Sequence, residues 1–260
     1  MKPMGRFRTS LASIAAALAV LVTSAGAQQS PAQPALDEGA IAGLKAMGAY
    51  LRTLKEFQVE VATTDEDVLA DGQKFQYEGT TKILARMPDR VLAEVASHRL
   101  QRLYLYDGKS FTLFAKRANF YATIPAPDTV GKLDEMLDEK FGFSVPLADL
   151  FRWGGPKWST EGITAATRFD PTVVGDTTCD HYAFRQEGID WQIWVQRGTH
   201  PLPRKLAITT TTDEARPQHT ATYTWNLAPS YNEDAFTFDP PAGAGKVLIA
   251  EITPAVGAAK

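Results

Sequence analysis

Residues 179–197 read CDHYAFRQEGIDWQIWVQR, and this stretch decides the fold. Its residues change character at every second position, the period of a strand whose two faces meet different surroundings. Glu187-Gly188 is a two-residue turn signal between two such arms. That turn pairs Gln186 with Ile189, Arg185 with Asp190, Phe184 with Trp191 and Tyr182 with Ile193. One face of the hairpin then carries Tyr182, Phe184, Trp191, Ile193 and Val195. The other carries Cys179, His181, Ala183, Arg185, Asp190, Gln192, Trp194 and Gln196. A slip of one residue would mix the two sets, so the pattern specifies its own register. The aromatic face needs cover, from helices packed on it or from a ligand.

The same period extends outward in both directions. Toward the C-terminus it predicts strands at 204–212, 219–227 and 235–238, with Ala221, Tyr223, Trp225 and Leu227 alternating against Thr220, Thr222, Thr224 and Asn226. Immediately before the hairpin lies a strand at 168–174. Further back, Phe57, Val59 and Val61 alternate with polar residues, as do Tyr77, Thr81, Ile83 and Ala85. Two arms flank Asp107-Gly108, a hairpin dipeptide, and 119–124 forms one more strand before Pro125 and Pro127. Asp65-Glu66-Asp67 lacks the spacing of a calcium loop and reads as a turn.

Two segments break the period. Over 37–54, Ile41, Leu44, Met47, Leu51 and Leu54 fall three or four apart, a helix with one apolar stripe and Asp37 as N-cap. Over 128–141, Val130, Leu133, Met136, Leu137 and Phe141 share a helical face, and Asp134, Glu135, Asp138 and Glu139 are read as its solvated side. PLADLF (146–151) reads as a short helix with proline at its first position, and Gly154-Gly155-Pro156 as a loop. The sum is about ten or eleven strands with a helix before them and helices in the middle. No composition break divides the strands. The expected class is α+β: a single strongly curved antiparallel sheet, a half-barrel, with helices covering the concave side. Two separate β domains are the alternative.

The first residues follow another logic. Lys2, Arg6 and Arg8 precede an apolar run from Leu11 to Val22 and the small-residue triplet Ala25-Gly26-Ala27. This is the order of a secretory signal peptide, expected to be cleaved after Ala27, and the run is too short to span a bilayer. Residues 28–36 then form a linker, 37–247 a single domain and 248–260 a loose tail. The 260-residue chain carries 27 Lys+Arg against 30 Asp+Glu. Removing residues 1–27 takes away three cations and no acid, so the balance becomes 24 against 30, a net charge of −6. Such a chain has no electrostatic case for nucleic acid. Cys179, the single cysteine, rules out a disulfide framework and lies far from the cleavage site, where a lipid anchor would require it.

No reaction motif accompanies this pattern. His98, His181, His200 and His219 lack metal-ligand spacing, so no metal and no cofactor are expected. There is no G-x-S-x-G elbow and no phosphate-binding glycine loop. Arg185 and Asp190 are read as a structural cross-strand pair. The inward aromatics suggest a hydrophobic binding surface, with Phe57, Tyr104, Phe111, Trp191, Ile193, Tyr223 and Trp225 as the candidate lining.

Several stretches resemble a bacterial family of predicted periplasmic proteins of unassigned function: YLRTLKEFQV (50–59), ARMPDRVLAEV (85–95), YDGKSFTLF (106–114), FYATIPAPDT (120–129), PLADLF (146–151), CDHYAFRQEGIDWQIWVQRGTHPLPRKL (179–206) and FTFDPPAGAGKV (236–247). The resemblance covers roughly 36–247. The family is similar in expected architecture to lipoprotein localisation carriers of LolA and LolB type, which implies a curved sheet closed by helices around an apolar cavity. It implies a periplasmic, non-enzymatic carrier or sensor for acyl chains or a lipidated envelope protein. Two other readings stand beside it: a protein-binding envelope module without a ligand, and an envelope hydrolase using the His181/Arg185/Asp190 face. Partner identity and oligomeric state are not written in the sequence.

Overall fold

Two antiparallel meanders make one open sheet. The first runs through β1 (Glu56–Val68), β2 (Lys74–Arg86), β3 (Arg90–Ser97), β4 (Gln101–Tyr106), β5 (Ser110–Ala115) and β6 (Phe120–Pro125). The second runs through β7 (Ala165–Val174), β8 (Thr177–Gln186), β9 (Ile189–Gln196), β10 (Pro203–Thr210) and β11 (Gln218–Asn226). The first strand of one meander pairs with the last strand of the other, β1 with β11, in the register Val59↔Trp225, Val61↔Tyr223 and Asp65↔His219. A two-residue strand, β12 (Gly245–Lys246), adds in parallel to the free side of β6. The order is β12-β6-β5-β4-β3-β2-β1-β11-β10-β9-β8-β7, a curved half-barrel that does not close. The computed structural model describes residues 36–251. The expected leader and its cleavage site, linker residues 28–35 and tail residues 252–260 lie outside the described residues.

This order forces two crossings of the sheet. β6 and β7 are successive strands near opposite edges, so residues 126–164 must traverse the sheet between them. β11 ends in the middle while β12 sits at an edge, so residues 227–244 must traverse the first meander. The crossings use opposite faces. The 126–164 segment carries α2 (Val130–Phe141) and α3 (Asp149–Arg152). Their apolar residues join one core with Phe57, Val59, Ile83, Phe111, Ile193 and Tyr223. Residues of the C-terminal segment instead meet Arg86 and Phe114, whose sequence neighbours Ala85 and Leu113 face the core; alternation puts them on the other side.

Helix α1 (Glu38–Thr53) also lies over the core face. Asp37 caps it, accepting from the Ala40 amide at 2.9 Å, and Ala40, Leu44, Met47, Gly48 and Leu51 are buried. α2 starts at Thr129, whose hydroxyl accepts from the Lys132 amide, and stops at Gly142, which adopts the left-handed conformation at φ 69°. The 179–197 hairpin takes the register its pattern specifies, and Tyr182, Phe184, Trp191, Ile193 and Val195 are all buried.

Several expectations need correction. Asp65-Glu66-Asp67 continues β1 and pairs with β2 through Val68, so the turn falls after it. Cross-strand and neighbouring partners absorb these acids: His219 on Asp65, Lys74 on Glu66 and Arg99 on Asp67. Residues 90–97 form β3, a full strand between β2 and β4; Pro88 and the mixed run RVLAEVAS hide its alternation. Residues 235–238 are not a strand: Glu233–Phe236 is one turn of 3-10 helix. In PLADLF the helix begins at Asp149 rather than at Pro146, because Leu147 adopts a positive φ of 54° that helical geometry excludes. The acidic side of the 128–141 helix is not simply solvated, since Asp134 is 3 % exposed.

Candidate functional site

The seven aromatic and aliphatic residues expected to line a cavity all lie on the helix-covered face. Phe57, Phe111, Trp191, Ile193 and Tyr223 are buried there, and Tyr104 and Trp225 are half-buried against them. They form a spread-out surface across β1, β4, β5, β9 and β11 rather than one cluster. Phe57 meets Trp225 at 5.4 Å between ring centres and Phe151 of α3 at 6.3 Å. The two indole N–H groups are satisfied: Trp191 donates to Gln186 Oε1 and Trp225 to the Pro203 carbonyl, each at 2.8 Å. Trp191 and Phe184 also border a shallow recess of about 330 Å³ shared with Arg185 and Asp190.

A larger hollow lies one layer out, within the helical crossing itself. A groove of about 740 Å³ runs between α2 and residues 151–159. α2 turns Gly131, Asp134, Glu135, Asp138 and Glu139 toward it, at helical spacings of three and four that put them on one face. The facing wall contains Phe151, Arg152, Pro156, Lys157 and Trp158. Asp134 holds the walls together, accepting from Arg152 Nε at 2.6 Å and from the Val145 amide at 3.2 Å. Arg152 donates in addition to Ser144 Oγ at 2.8 Å. Lys157 reaches across to Glu135 at 2.9 Å. Phe151 borders the groove and packs on Phe57, so it is the side chain standing between the hollow and the covered face of the sheet.

The crossing is fastened to α1 at two points. Arg52 donates through Nη1 to the Phe151 carbonyl at 2.6 Å and through Nη2 to the Leu150 carbonyl. Burial pulls its guanidinium below its ordinary pKa. A turn before Arg52, Gly48 meets Gly154 backbone to backbone: a Cβ on Gly154 would lie 2.4 Å from Gly48 carbon and oxygen. Gly154 also holds φ at +70°, so both the space and the conformation require glycine there. Asp149 of α3 is exposed as a residue, while loss of solvation at its carboxyl raises its pKa. The same loss, more severe, raises the fully enclosed Tyr223 hydroxyl.

The polar face of the 179–197 hairpin is a bonded surface. Arg185 grips Asp190 with two bonds at 2.6 and 2.9 Å, and Arg216 adds a third at 3.0 Å. The Arg185 bond holds the Asp190 carboxyl below its ordinary pKa. His181 is layered between Phe169 and Trp194, with centroid separations of 4.6 and 4.3 Å, and Lys205 lies over Trp194 at 5.0 Å. Its Nε2 meets Gln192 Oε1 at 3.0 Å, and burial lowers its pKa. An imidazole stacked on both faces and bonded to an amide is fixed in place, and among the described residues no carboxylate forms a hydrogen bond with it. Cys179 is buried, and burial raises its thiol pKa. Among the described residues, no group of three or more His, Cys, Asp and Glu side chains could hold a metal ion. No helix among them is long and apolar enough to cross a membrane.

Sequence reasoning found the covered face and missed the groove. The acids of α2 looked solvated because the opposing wall, 151–159, follows after an irregular loop and carries no periodic signal. The GGPKW run (154–158) was the available clue: two glycines and a proline beside a tryptophan make a bend that exposes an aromatic side chain.

The molecule is thus an open antiparallel half-barrel with one face covered by a helical crossing that contains a groove. The chain belongs to the family described as predicted periplasmic protein (DUF2092), whose model matches residues 40–250. No curated protein matches it. Among solved structures it is similar to an uncharacterized conserved protein from Thermus thermophilus, at 9% identity, TM-score 0.46, covering 81% of this chain and 99% of that one. It is similar to LprF from Mycobacterium bovis, at 12% identity, TM-score 0.44, covering 76% and 97%. A LolA superfamily protein from Nitrosomonas europaea is matched at 12% identity, TM-score 0.33, covering 76% and 97%.

Proposed function

We propose that this chain is a non-enzymatic envelope carrier or sensor that holds an acyl chain, free or attached to a lipidated partner, in the groove between α2 and residues 151–159. The observation that carries this reading is the position of Phe151, which borders a hollow of about 740 Å³ on one side and touches Phe57 on the sheet on the other. The volume falls within the range of about 300–1,000 Å³ typical of ligand pockets. Phe151 is the residue at which the groove meets the aromatic surface of Phe57 and Trp225. Each CH₂ moved from water to such surroundings gains about 0.8 kcal/mol, so a dozen contribute roughly 10 kcal/mol before the costs of association. The reading places the protein in the periplasm, in keeping with its family's description.

Gly131 supplies the test. It lines the groove, and a Cβ there meets nothing within 4 Å. Gly131→Phe therefore adds a ring at the groove wall without a clash at its Cβ, and replaces a helix-weakening glycine. Protein exported to the periplasm is purified, measured by native mass spectrometry, extracted with organic solvent, and titrated with a fluorescent single-chain lipid with an uncharged head. The expected result is an extractable acyl ligand and saturable binding in the parent, with both reduced at least tenfold in Gly131→Phe. A folded parent that carries no lipid and binds none overturns the proposal, as does unchanged binding in the variant.

A further inference from the structure

The groove is walled unequally. Four of its side chains are carboxylates, Asp134, Glu135, Asp138 and Glu139, and two are cations, Arg152 and Lys157. Arg152 and the Val145 amide satisfy Asp134, at the foot of the groove. Glu135 has Lys157, whose side chain is 75% exposed at the end of its reach. Asp138 and Glu139 have no ion-pair partner among the described residues, yet both face the groove.

The placement of these acids is costly to the helix that carries them. Asp134 with Asp138 and Glu135 with Glu139 are like-charge pairs four residues apart on one face, an arrangement that weakens a helix. Facing them are Phe151, Pro156 and Trp158, apolar side chains on the opposite wall of the groove. Trp158 adds a ring face of the kind that attracts ammonium groups. Lys157 already shows the complementary interaction: its ammonium spans the groove to Glu135 at 2.9 Å.

We infer that the groove selects a single-chain amphiphile with a cationic head, its tail against Phe151 and Trp158 and its charge beside Asp138 and Glu139. This rests on the reading of the groove as an acyl-chain site and adds the charge of the ligand to it. Lys157 is then the internal occupant that the head group displaces. An anionic head would meet two carboxylates that have no ion-pair partner among the described residues.

The test compares three twelve-carbon probes below their micellar concentrations: dodecyltrimethylammonium, dodecyl maltoside and dodecanoate. Binding is followed by tryptophan fluorescence and calorimetry on the full-length purified protein. The cation is expected to bind about tenfold more tightly than the neutral probe, about 1.4 kcal/mol, with dodecanoate the weakest. Raising the salt concentration should shrink the difference. The double variant Asp138→Asn/Glu139→Gln should abolish the preference while still binding dodecyl maltoside, and Lys157→Ala should tighten the cation. Equal binding of cationic and neutral probes overturns this inference and leaves the acyl-chain reading standing, as does a preference for dodecanoate. Failure of all three probes to bind overturns the acyl-chain reading and this inference together.

Discussion

The two crossings solve the same topological problem in opposite ways. Both exist because β1 pairs with β11, which strands the free ends of the two meanders away from their next partners. Residues 126–164 cross the core face as two helices and a loop, burying Val130, Leu133, Leu137, Leu150 and Phe151. Residues 227–244 cross the other face with little regular structure, held by a few anchors. Glu233 pairs with Arg86 at 2.8 Å, Phe236 is buried under the Arg86 guanidinium, and Phe238 sits between Phe114 and Tyr121. A helix satisfies its backbone hydrogen bonds internally, so its side chains are free to make a wall; an extended strap has only its anchors. The groove is found in the helical crossing for that reason. The strap is a seal over the far face.

If the helical crossing depends on a backbone contact with α1, the contact point should be its weakest tolerance. Gly154→Ala would place a Cβ 2.4 Å from Gly48 and force a residue with a side chain to φ +70°. Strain and overpacking together should cost about 4 kcal/mol, read as a drop in the urea midpoint at constant slope. A loss below about 1 kcal/mol would mean that α1 and the crossing separate easily, and the crossing would then be a loose cover. Arg52→Met tests the second fastening. It leaves the Leu150 and Phe151 carbonyls without their cation, a loss of about 2 kcal/mol after the relief of burying a charge is allowed for. Hydrogen exchange should accelerate in 147–158 and stay unchanged in 233–247. Faster exchange in both segments would show that the two crossings are one cooperative unit.

The strap should respond to a different kind of change. Phe238→Ala removes a half-buried ring from Phe114 and Tyr121, and should cost about 1–2 kcal/mol, less than a fully buried phenylalanine. Exchange should rise along β12 and β6, and lipid binding should not change. An effect on binding would tie the seal to the groove and break the contrast between them.

What the sequence made legible follows the same division. The hairpin at 179–197 and the strand at 219–227 were readable because each has one buried and one open face, so alternation is written directly into residue type. The stripe of α1 was readable for the equivalent helical reason. β3 was obscured because residues such as Leu92 and Ala96 stand at positions facing away from the core, which blurs the period. The acids of β1 misled because carboxylates are common in turns, while here each is held by a partner on another strand or loop, such as His219 on Asp65 at 2.6 Å. The groove was least legible. Its two walls are separated by a stretch whose geometry is set by Leu147 and Gly154 at positive φ, and positive φ has no hydrophobic signature. Alternation named seven residues that lie on the covered face, but which part of that face stays hollow depends on how residues 142–160 bend.

The smallest effect concerns Asp149, where the helical crossing carries a group that the strap has no counterpart for. Desolvation raises the pKa of its carboxyl above the ordinary 3.8 and the charge of Asp134 adds to this, with Arg152 and His219 pulling the other way. A raised folded-state pKa in an acid means that the folded protein binds the proton more tightly than the unfolded chain does. Stability is therefore unaffected below the unfolded value of about 3.8 and falls as pH rises through the folded one. Asp149→Asn removes that dependence. Relative to the parent, the variant should gain thermal stability progressively as the pH rises above about 4, and show no gain at about pH 3. Because the residue is partly exposed, the gain should be no more than a few degrees. A gain that is the same at every pH would assign the effect to amide hydrogen bonding instead. A gain that grows on acidification would mean that the charged form is the stabilised one, held by Arg152 against the cost of burial.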